Sequence, residues 1–592
     1  MHPDPRKPAL VRRERKRAAD PTRIIAYDLE TDPIRAGSPR PLYLTAYAPG
    51  FEVAARIRSM RELHEVLVTQ LLVPATHGAR FAAWNGNRFD AYFVAAALVR
   101  DDRFRLRPML TRSRELRGLE VRRAANADKP RDPTAWVFVD GMSMLGIDCE
   151  LGELLDQFAP ELPKLPAPDW SRGFDGDRPD HQAYAMRDSE GLWHALDRAQ
   201  RIVLDEFGEP LGVTMGGTGI RVFAASMPER VTVKPLEEEA EPIVRESLVR
   251  GGYVFCRGRF DGLAWKYDLN QAYAGAMRDA QLPAGSMLWD RYGPEDARGA
   301  YMVRISAHKP SNTVPFYVKK RDELGRIRAS YARTVIEDSW ITSDEHRQLI
   351  AEGWEIEPQE HWQWARTFNM RGFVDRLEEL RRNAPGGPSG PEGAMIKSLG
   401  NNCYGKTGEQ PDGMEWCLAA DRPEGWLDWY EEDDADPIEH VFWRLVEPRA
   451  KPHQQPQLAA WITAWVRMQV RRAALVAPDA WLYADTDSVI FSRDVSALLD
   501  VDPTRYGAWK VESAGQRHSI IMPKVYKGPQ GIKARGMNAK QLTGEHFERW
   551  MAGQAPMQKQ VQLRNFLDVM RGAEMYRATT RRGSATTEEL ER

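Results

Sequence analysis

Cysteine is scarce in this chain: there are four in 592 residues. Cys149, Cys256, Cys403 and Cys417 are too scattered for a disulfide framework or a structural zinc site, and they fit reduced thiols in a cytoplasm. Long apolar runs are also missing. The best, Phe93 to Val99, falls far short of the ~20 residues of a membrane span, so no membrane association is expected. Charge of one sign is not in excess, since 83 Lys+Arg face 85 Asp+Glu for a net charge of −2, and no global field marks a partner. Nor does the chain open on an apolar stretch. Arg12, Arg13, Arg15, Lys16 and Arg17 make residues 1–22 read as a flexible basic tail rather than a secretory signal. What remains, 42% hydrophobic and 28% charged residues, is the composition of a folded soluble protein of several domains.

Apolar stretches of strand and helix type alternate from Arg23 to about residue 205, an α/β unit. The charged run Glu237 to Pro242 reads as a solvated connection into a strand-rich region around Val254 to Asp268. Phe368 to Arg382 has a helical pattern, followed by the breakers Pro385 to Pro391 and a second helix from Glu392. Between Gly408 and Pro456 the composition turns acidic and Trp-rich, including Glu431-Glu432-Asp433-Asp434, as expected of an inserted hairpin or excursion. Leu458 to Val476 is a long helix, and Trp481 to Phe491 is β-prone on both sides of Asp485-Thr486-Asp487.

Two constellations of carboxylates stand out. Asp28 and Glu30, two apart in a β-prone run, share one strand face and can hold one divalent metal. Asp90 follows the turn-prone Asn85-Gly86-Asn87-Arg88-Phe89 at a helix start, where capping is its plain alternative. Tyr184 and Asp188 share a helical face. In the second constellation, Asp268 lies near the end of a strand, Trp265 to Asn270, where its carboxylate and a neighbouring carbonyl could hold a metal. Asp485 and Asp487 sit at a turn with flanks too apolar for an ordinary exposed hairpin tip. On the intervening helix Lys397, Asn401 and Tyr404 fall on one face, where an amphipathic core helix would carry Leu or Ile. A nucleotide site wants such a cation and such a ring.

The three motifs Asp28-x-Glu30, Asn85-x-x-x-Phe89-Asp90 and Tyr184-x-x-x-Asp188 resemble those of DEDDy exonucleases with the RNase H-like fold. Asp268 to Tyr273, Lys397 to Gly405 and Tyr483 to Ser488 resemble motifs A, B and C of family B DNA polymerases, and Lys524-Val525-Tyr526 their Lys-x-Tyr motif. The order and compact length are most similar to the protein-primed branch of small linear phage and plasmid genomes. The resemblance implies an α/β protein with a 3′→5′ exonuclease domain (23–205) and a right-hand polymerase. Its parts would be linker and palm with motif A (206–282), a first terminal-protein insertion (283–365), fingers (366–407), a second insertion (408–455), palm with motif C (456–515) and thumb (516–592). It implies two Mg²⁺ ions per site, replaceable by Mn²⁺, held by Asp28, Glu30, Asp90 and Asp188 and by Asp268, Asp487 and the Leu269 carbonyl, with Asp485 a weaker partner. Tyr184 would orient the attacking water, and Asn85, Phe89, Ser143 and Met144 would hold single-stranded DNA. Lys397 would bind the incoming dNTP, Tyr273 would exclude a 2′-hydroxyl, Asn401, Tyr404 and Gly405 would shape the nascent-pair pocket, and Lys524 and Tyr526 would grip the primer. The implied partners are template and primer DNA, dNTPs and a terminal protein, met by a monomer in the host cytoplasm. One departure is Val249-Arg250-Gly251-Gly252, with Val where the branch has Tyr. A polymerase using nucleic-acid primers, or none, and a nuclease-led repair protein are the alternatives.

Overall fold

The run Ile24–Thr31 forms a central strand buried on both faces. Ile25, Tyr27 and Leu29 enter one core, while Ile24 and Ala26 enter another. The same face that begins with Ile24 and Ala26 ends with Asp28 and Glu30, so the strand's period of two carries the acids out of the core at its C-terminal end. The computed structural model describes residues 8–12, 21–111, 113–127, 129, 132–169, 173–294, 298–321, 325–411, 413–430 and 438–584. Among them no helix is long and apolar enough to cross a membrane.

Three large sheets organise the described residues. Ile24–Thr31 and Arg80–Ala83 lie parallel, as do Arg80–Ala83 and Trp136–Asp140, in the middle of a ten-stranded sheet. The 29-residue helix Pro179–Phe207 packs on it. A seven-stranded sheet pairs Phe260–Leu269 with Ser488–Phe491 on one side and Trp509–Met522 on the other. Its core is continuous with that of the N-terminal unit, Leu154, Leu192, Phe223, Leu269 and Val489 belonging to one cluster. The expected boundary near residue 205 is thus a change of sheet, not a gap in packing. The run at Glu237 to Pro242 is a correction of another kind: the short helix Ala240–Ile243 and the π-turn Val244–Leu248 bury Ala240, Val244 and Leu248 against the core.

The first insertion builds most of a six-stranded sheet from Leu282–Asp290, Tyr301–His308, Val335–Thr342 and Glu355–Phe368, with the helix Ser343–Ala351. The expected fingers are two helices, Arg371–Arg382 and Pro391–Thr407. The second insertion is no free excursion. Met414–Leu418 joins the edge of the ten-stranded sheet, Leu418 opposite Leu106, and Leu418, Ile438 and Val441 share its core. The acidic run Glu431 to Asp434 lies outside the described residues. Phe566, Leu567, Met570 and Tyr576, from the far end of the chain, pack into that same core, and Gly37 and Tyr576 exchange two 2.9 Å backbone hydrogen bonds.

The tail also needs correcting. Arg13, Arg15, Lys16 and Arg17 lie outside the described residues, but Leu10–Val11 is an edge strand of the six-stranded sheet, paired with Val233 and Thr232. Leu10 is 2% exposed, and Arg12 pairs with Glu229 at 3.0 Å. A two-residue strand held by one buried side chain depends on that side chain. Leu10→Ala should weaken its attachment by about 2–4 kcal/mol. Hydrogen exchange at the Leu10 and Val233 amides should accelerate accordingly, with the ten-stranded sheet unchanged.

Candidate active sites

The first cluster gathers Asp28 and Glu30 from the central strand, Asp90 from the first turn of Asp90–Leu98, and Tyr184 and Asp188 from Pro179–Phe207. Asp90 does not cap its helix; its Oδ1 accepts the Leu29 N–H at 3.0 Å, which locks the helix start to the strand between the two acids. Burial, then the charge of Asp188, lifts Asp28 to about 7. Burial, then Asp28 and Asp188, lifts Glu30 to about 9. Asp90 is raised by burial and by Asp28, and Asp188 by burial against the opposing pull of Lys164. Lys164 donates to Asp188 Oδ2 at 2.8 Å and lies 5.1 Å over the Tyr184 ring. The other oxygen of Asp188 is buried without a hydrogen-bond partner. An unpartnered buried oxygen and mutually repelling acids fit a divalent cation. Among the described residues no group of three such side chains is already arranged to hold a metal ion.

Around this cluster, Asn85 has φ of 64° and Phe89 packs on Phe93 at 5.3 Å. Ser143 donates to Asp140 Oδ2 at 3.0 Å and lines a cavity of about 1650 Å³ bounded by the ten-stranded sheet, the fingers helix and the second insertion.

The second cluster forms where three strands meet. Leu269 N–H donates to the Asp487 carbonyl at 2.7 Å, fixing the end of Phe260–Leu269 beside the turn of Trp481–Thr486 and Ser488–Phe491. Burial, then Asp268 and Asp485, lifts Asp487 to about 7, opposed by Lys397. Asp268 is raised by burial, and Lys510 stands 3.0 Å from it. Asp485 is already occupied: Lys524 Nζ and, at 3.0 Å, Thr486 Oγ1 donate to it. Tyr526 is buried beside Tyr483.

Lys397, Asn401 and Tyr404 all lie on the helix Pro391–Thr407. Tyr404 stacks on Tyr273 with centroids 4.4 Å apart, Lys397 is exposed, the buried Asn401 Oδ1 has no partner, and Gly405 faces open space. Sequence reasoning missed Lys164 and Lys510. The first had a signal, a single cation in the extended run Leu162-Pro163-Lys164-Leu165-Pro166. The second had none, because it reaches Asp268 only through the strand pairing Asp268↔Lys510.

Residues 206–437 match the family described as DNA polymerase type B, organellar and viral. Within those residues the chain is similar to type B DNA polymerases. Over 308 residues the chain is 26% identical to the DNA polymerase of Streptococcus phage Cp-1, a match spanning 49% of this chain and about half, 51%, of that relative. The fold is that of phi29 DNA polymerase. Its ternary complex with primer-template DNA and incoming nucleotide superposes with a TM-score of 0.73 at 18% identity, over 96% of this chain and all of that one. Its binary complex with primer-template DNA gives 0.65 at 18%, over 89% and 95%.

Raised acids carry a stability consequence. Asp28 and Glu30 bind protons more tightly folded than unfolded, so metal-free stability falls as pH rises from their ordinary values near 4 toward 7 and 9. Asp28→Asn with Glu30→Gln should therefore melt above wild type in chelator at pH 8, by about 2–4 °C per kcal/mol of repulsion relieved. Differential scanning calorimetry should see the gain vanish by pH 4 and shrink when Mg²⁺ is added.

Proposed function

We propose that the protein is a DNA-directed DNA polymerase with a proofreading 3′→5′ exonuclease, copying a linear genome from a terminal protein by strand displacement. The observation that carries this reading is the coexistence, in one phi29-like fold, of two buried acid clusters, the second faced by the cation, amide and aromatic ring of the fingers helix. Asp28, Glu30, Asp90 and Asp188, and Asp268, Asp487 and the Leu269 carbonyl, would hold divalent ions, which would supply charge neutralisation at the phosphodiester and a more acidic attacking oxygen. Tyr184 orients the water of hydrolysis. Lys164 holds Asp188 in place between Tyr184 and the acids.

At the polymerase site Lys397 takes the triphosphate of the incoming dNTP, and its approach favours the ionised form of Asp487. The Tyr273–Tyr404 stack forms the floor under the sugar, leaving no room for a 2′-hydroxyl. Lys524 holds Asp485 and, with Tyr526, meets the primer strand, while Asn85, Phe89 and Ser143 hold a frayed single strand. The cavity of about 1650 Å³ carries Arg117, Lys406, Arg449 and Lys451 on its walls beside Glu409, Glu415 and Glu447, with Lys406 paired to Glu409 at 2.7 Å; its cations suit phosphates of a template strand parted from its complement. The protein works as a monomer in the host cytoplasm, with terminal protein, template and dNTPs as partners.

Asp487→Ala should lower nucleotide incorporation by ~10³-fold while single-strand degradation persists. Asp28→Ala with Glu30→Ala should do the reverse. Loss of both activities in either protein, with a native melting curve, refutes the two-site reading. Tyr273→Val should raise ribonucleotide use, measured as a ratio of kcat/KM values. Priming is tested by incubating the candidate terminal protein with labelled dNTP and Mg²⁺; absence of a covalent protein–nucleotide adduct, with ordinary primers extended, would favour nucleic-acid priming.

A further inference from the structure

Among the described residues the most deeply buried charges belong to neither acid cluster. Arg250, Glu345 and Arg467 all have side chains at 0% exposure. They come from three places: the Val-Arg-Gly-Gly segment, the helix Ser343–Ala351 of the first insertion, and the helix Pro456–Val476 behind the palm. One carboxylate oxygen, Glu345 Oε1, accepts from Arg250 Nη1 at 3.2 Å and from Arg467 Nη2 at 2.9 Å. The other accepts from the Thr342 N–H at 3.0 Å and hydroxyl at 3.1 Å. Two guanidiniums share one carboxylate, and the surplus charge is met by backbone carbonyls: Arg250 donates to Ser247, Tyr317 and Trp340. Arg467 Nη1 donates to the carbonyls of Arg250 at 3.1 Å and Gly251 at 3.4 Å. Burying such a group is costly, and apolar replacements commonly serve stability as well or better, so a role in placing something is the more economical account of it.

What it places is the backbone just before Gly252. A Cβ on Gly252 would stand 2.6–2.9 Å from the Cγ2, Cα and Cβ of Thr486. Thr486 lies between Asp485 and Asp487 with φ of +63°, a left-handed conformation that a β-branched residue adopts only when its surroundings impose it. The strand that continues from Gly252 pairs Tyr253 with Thr486 and Val254 with Asp485. The first insertion grips that strand twice more. Tyr253 OH donates to the Pro315 carbonyl at 2.7 Å, and Tyr331 OH donates to the Val254 carbonyl at 2.6 Å.

We propose that Arg250, Glu345 and Arg467 are positioning residues for polymerisation: through Glu345 the first insertion presses the Arg-Gly-Gly backbone against the Asp485-Thr486-Asp487 turn and so sets the two carboxylates. This rests on the polymerase reading of that turn. It gives the first insertion a task on the synthetic site itself, in addition to any partner it meets. It also accounts for a segment that works with Val249, because the gripping atoms belong to Arg250 and to the carbonyls of Arg250 and Gly251.

The test compares wild type with Glu345→Gln, Arg467→Lys, Gly252→Ala and Tyr331→Phe on a short primed template without any terminal protein. Readouts are kcat, KM for dNTP, the Mg²⁺ concentration for half-maximal rate, single-strand degradation and melting temperature. The expected result is a kcat for extension lower by on the order of 10–100-fold, as misplaced groups cost. The half-saturating Mg²⁺ should rise, with KM for dNTP and degradation close to wild type. Gly252→Ala and Tyr331→Phe change no charge and carry the test should the two charge-altering proteins fail to fold. Folded variants with wild-type kcat and Mg²⁺ dependence would overturn the inference and leave the polymerase reading intact. Equal loss of synthesis and degradation would overturn it in favour of plain structural support. A wild-type protein unable to extend any primer would overturn the polymerase reading, and this inference with it.

Discussion

Holding like charges together out of water is the constraint on which this structure turns. Asp28, Glu30, Asp90 and Asp188 repel one another, as do Asp268, Asp485 and Asp487, and in each set burial works against ionisation. At an effective dielectric constant of about 20, two unit charges 4 Å apart interact by about 4 kcal/mol. Such a cluster therefore persists only where the backbone leaves the side chains no escape. The fold answers with strand ends, whose positions are set by pairing on both sides, and with a lysine at each of Asp188, Asp268 and Asp485. Lys164, Lys510 and Lys524 each reach their carboxylate from a different segment of chain. Each cation offsets part of the repulsion while leaving other carboxylate oxygens facing the site.

The carboxylates themselves were legible because their information is local. A period of two puts Asp28 with Glu30, and a turn between apolar flanks marks Asp485 and Asp487. The helical face of Lys397, Asn401 and Tyr404 was equally local, and the structure keeps it. What escaped the sequence was whatever depends on segments far apart. Lys510 becomes a neighbour of Asp268 only when two strands take register. The second insertion read as an inserted hairpin or excursion, and Met414–Leu418 does pair antiparallel with Ile438–Leu445; what its sequence did not show is that Leu418, Ile438 and Val441 bury against a sheet formed some three hundred residues earlier. The strand Leu10–Val11 is too short to show any period. Arg250 stood in the text of a motif, but nothing near it in sequence announces Glu345 or Arg467.

This reliance on distant segments has a cost in assembly. The core beside the central strand takes side chains from Ile25 and Tyr27 near the start, Leu418 and Val441 in the second insertion, and Phe566 and Tyr576 near the end. The N-terminal unit cannot bury its full apolar surface until most of the chain has been made. Pairings across such separations delay folding, because the loops between them must be closed before contact rewards closure.

The attachment of the second insertion is narrow. Within it, Met414 to Leu418 pair residue by residue with Leu445 to Val441, yet the bond to the ten-stranded sheet is the single pair Leu106↔Leu418. The hold of the insertion on the rest of that sheet is therefore mainly apolar, resting on Leu418, Ile438 and Val441, and a hold of that kind weakens on cooling.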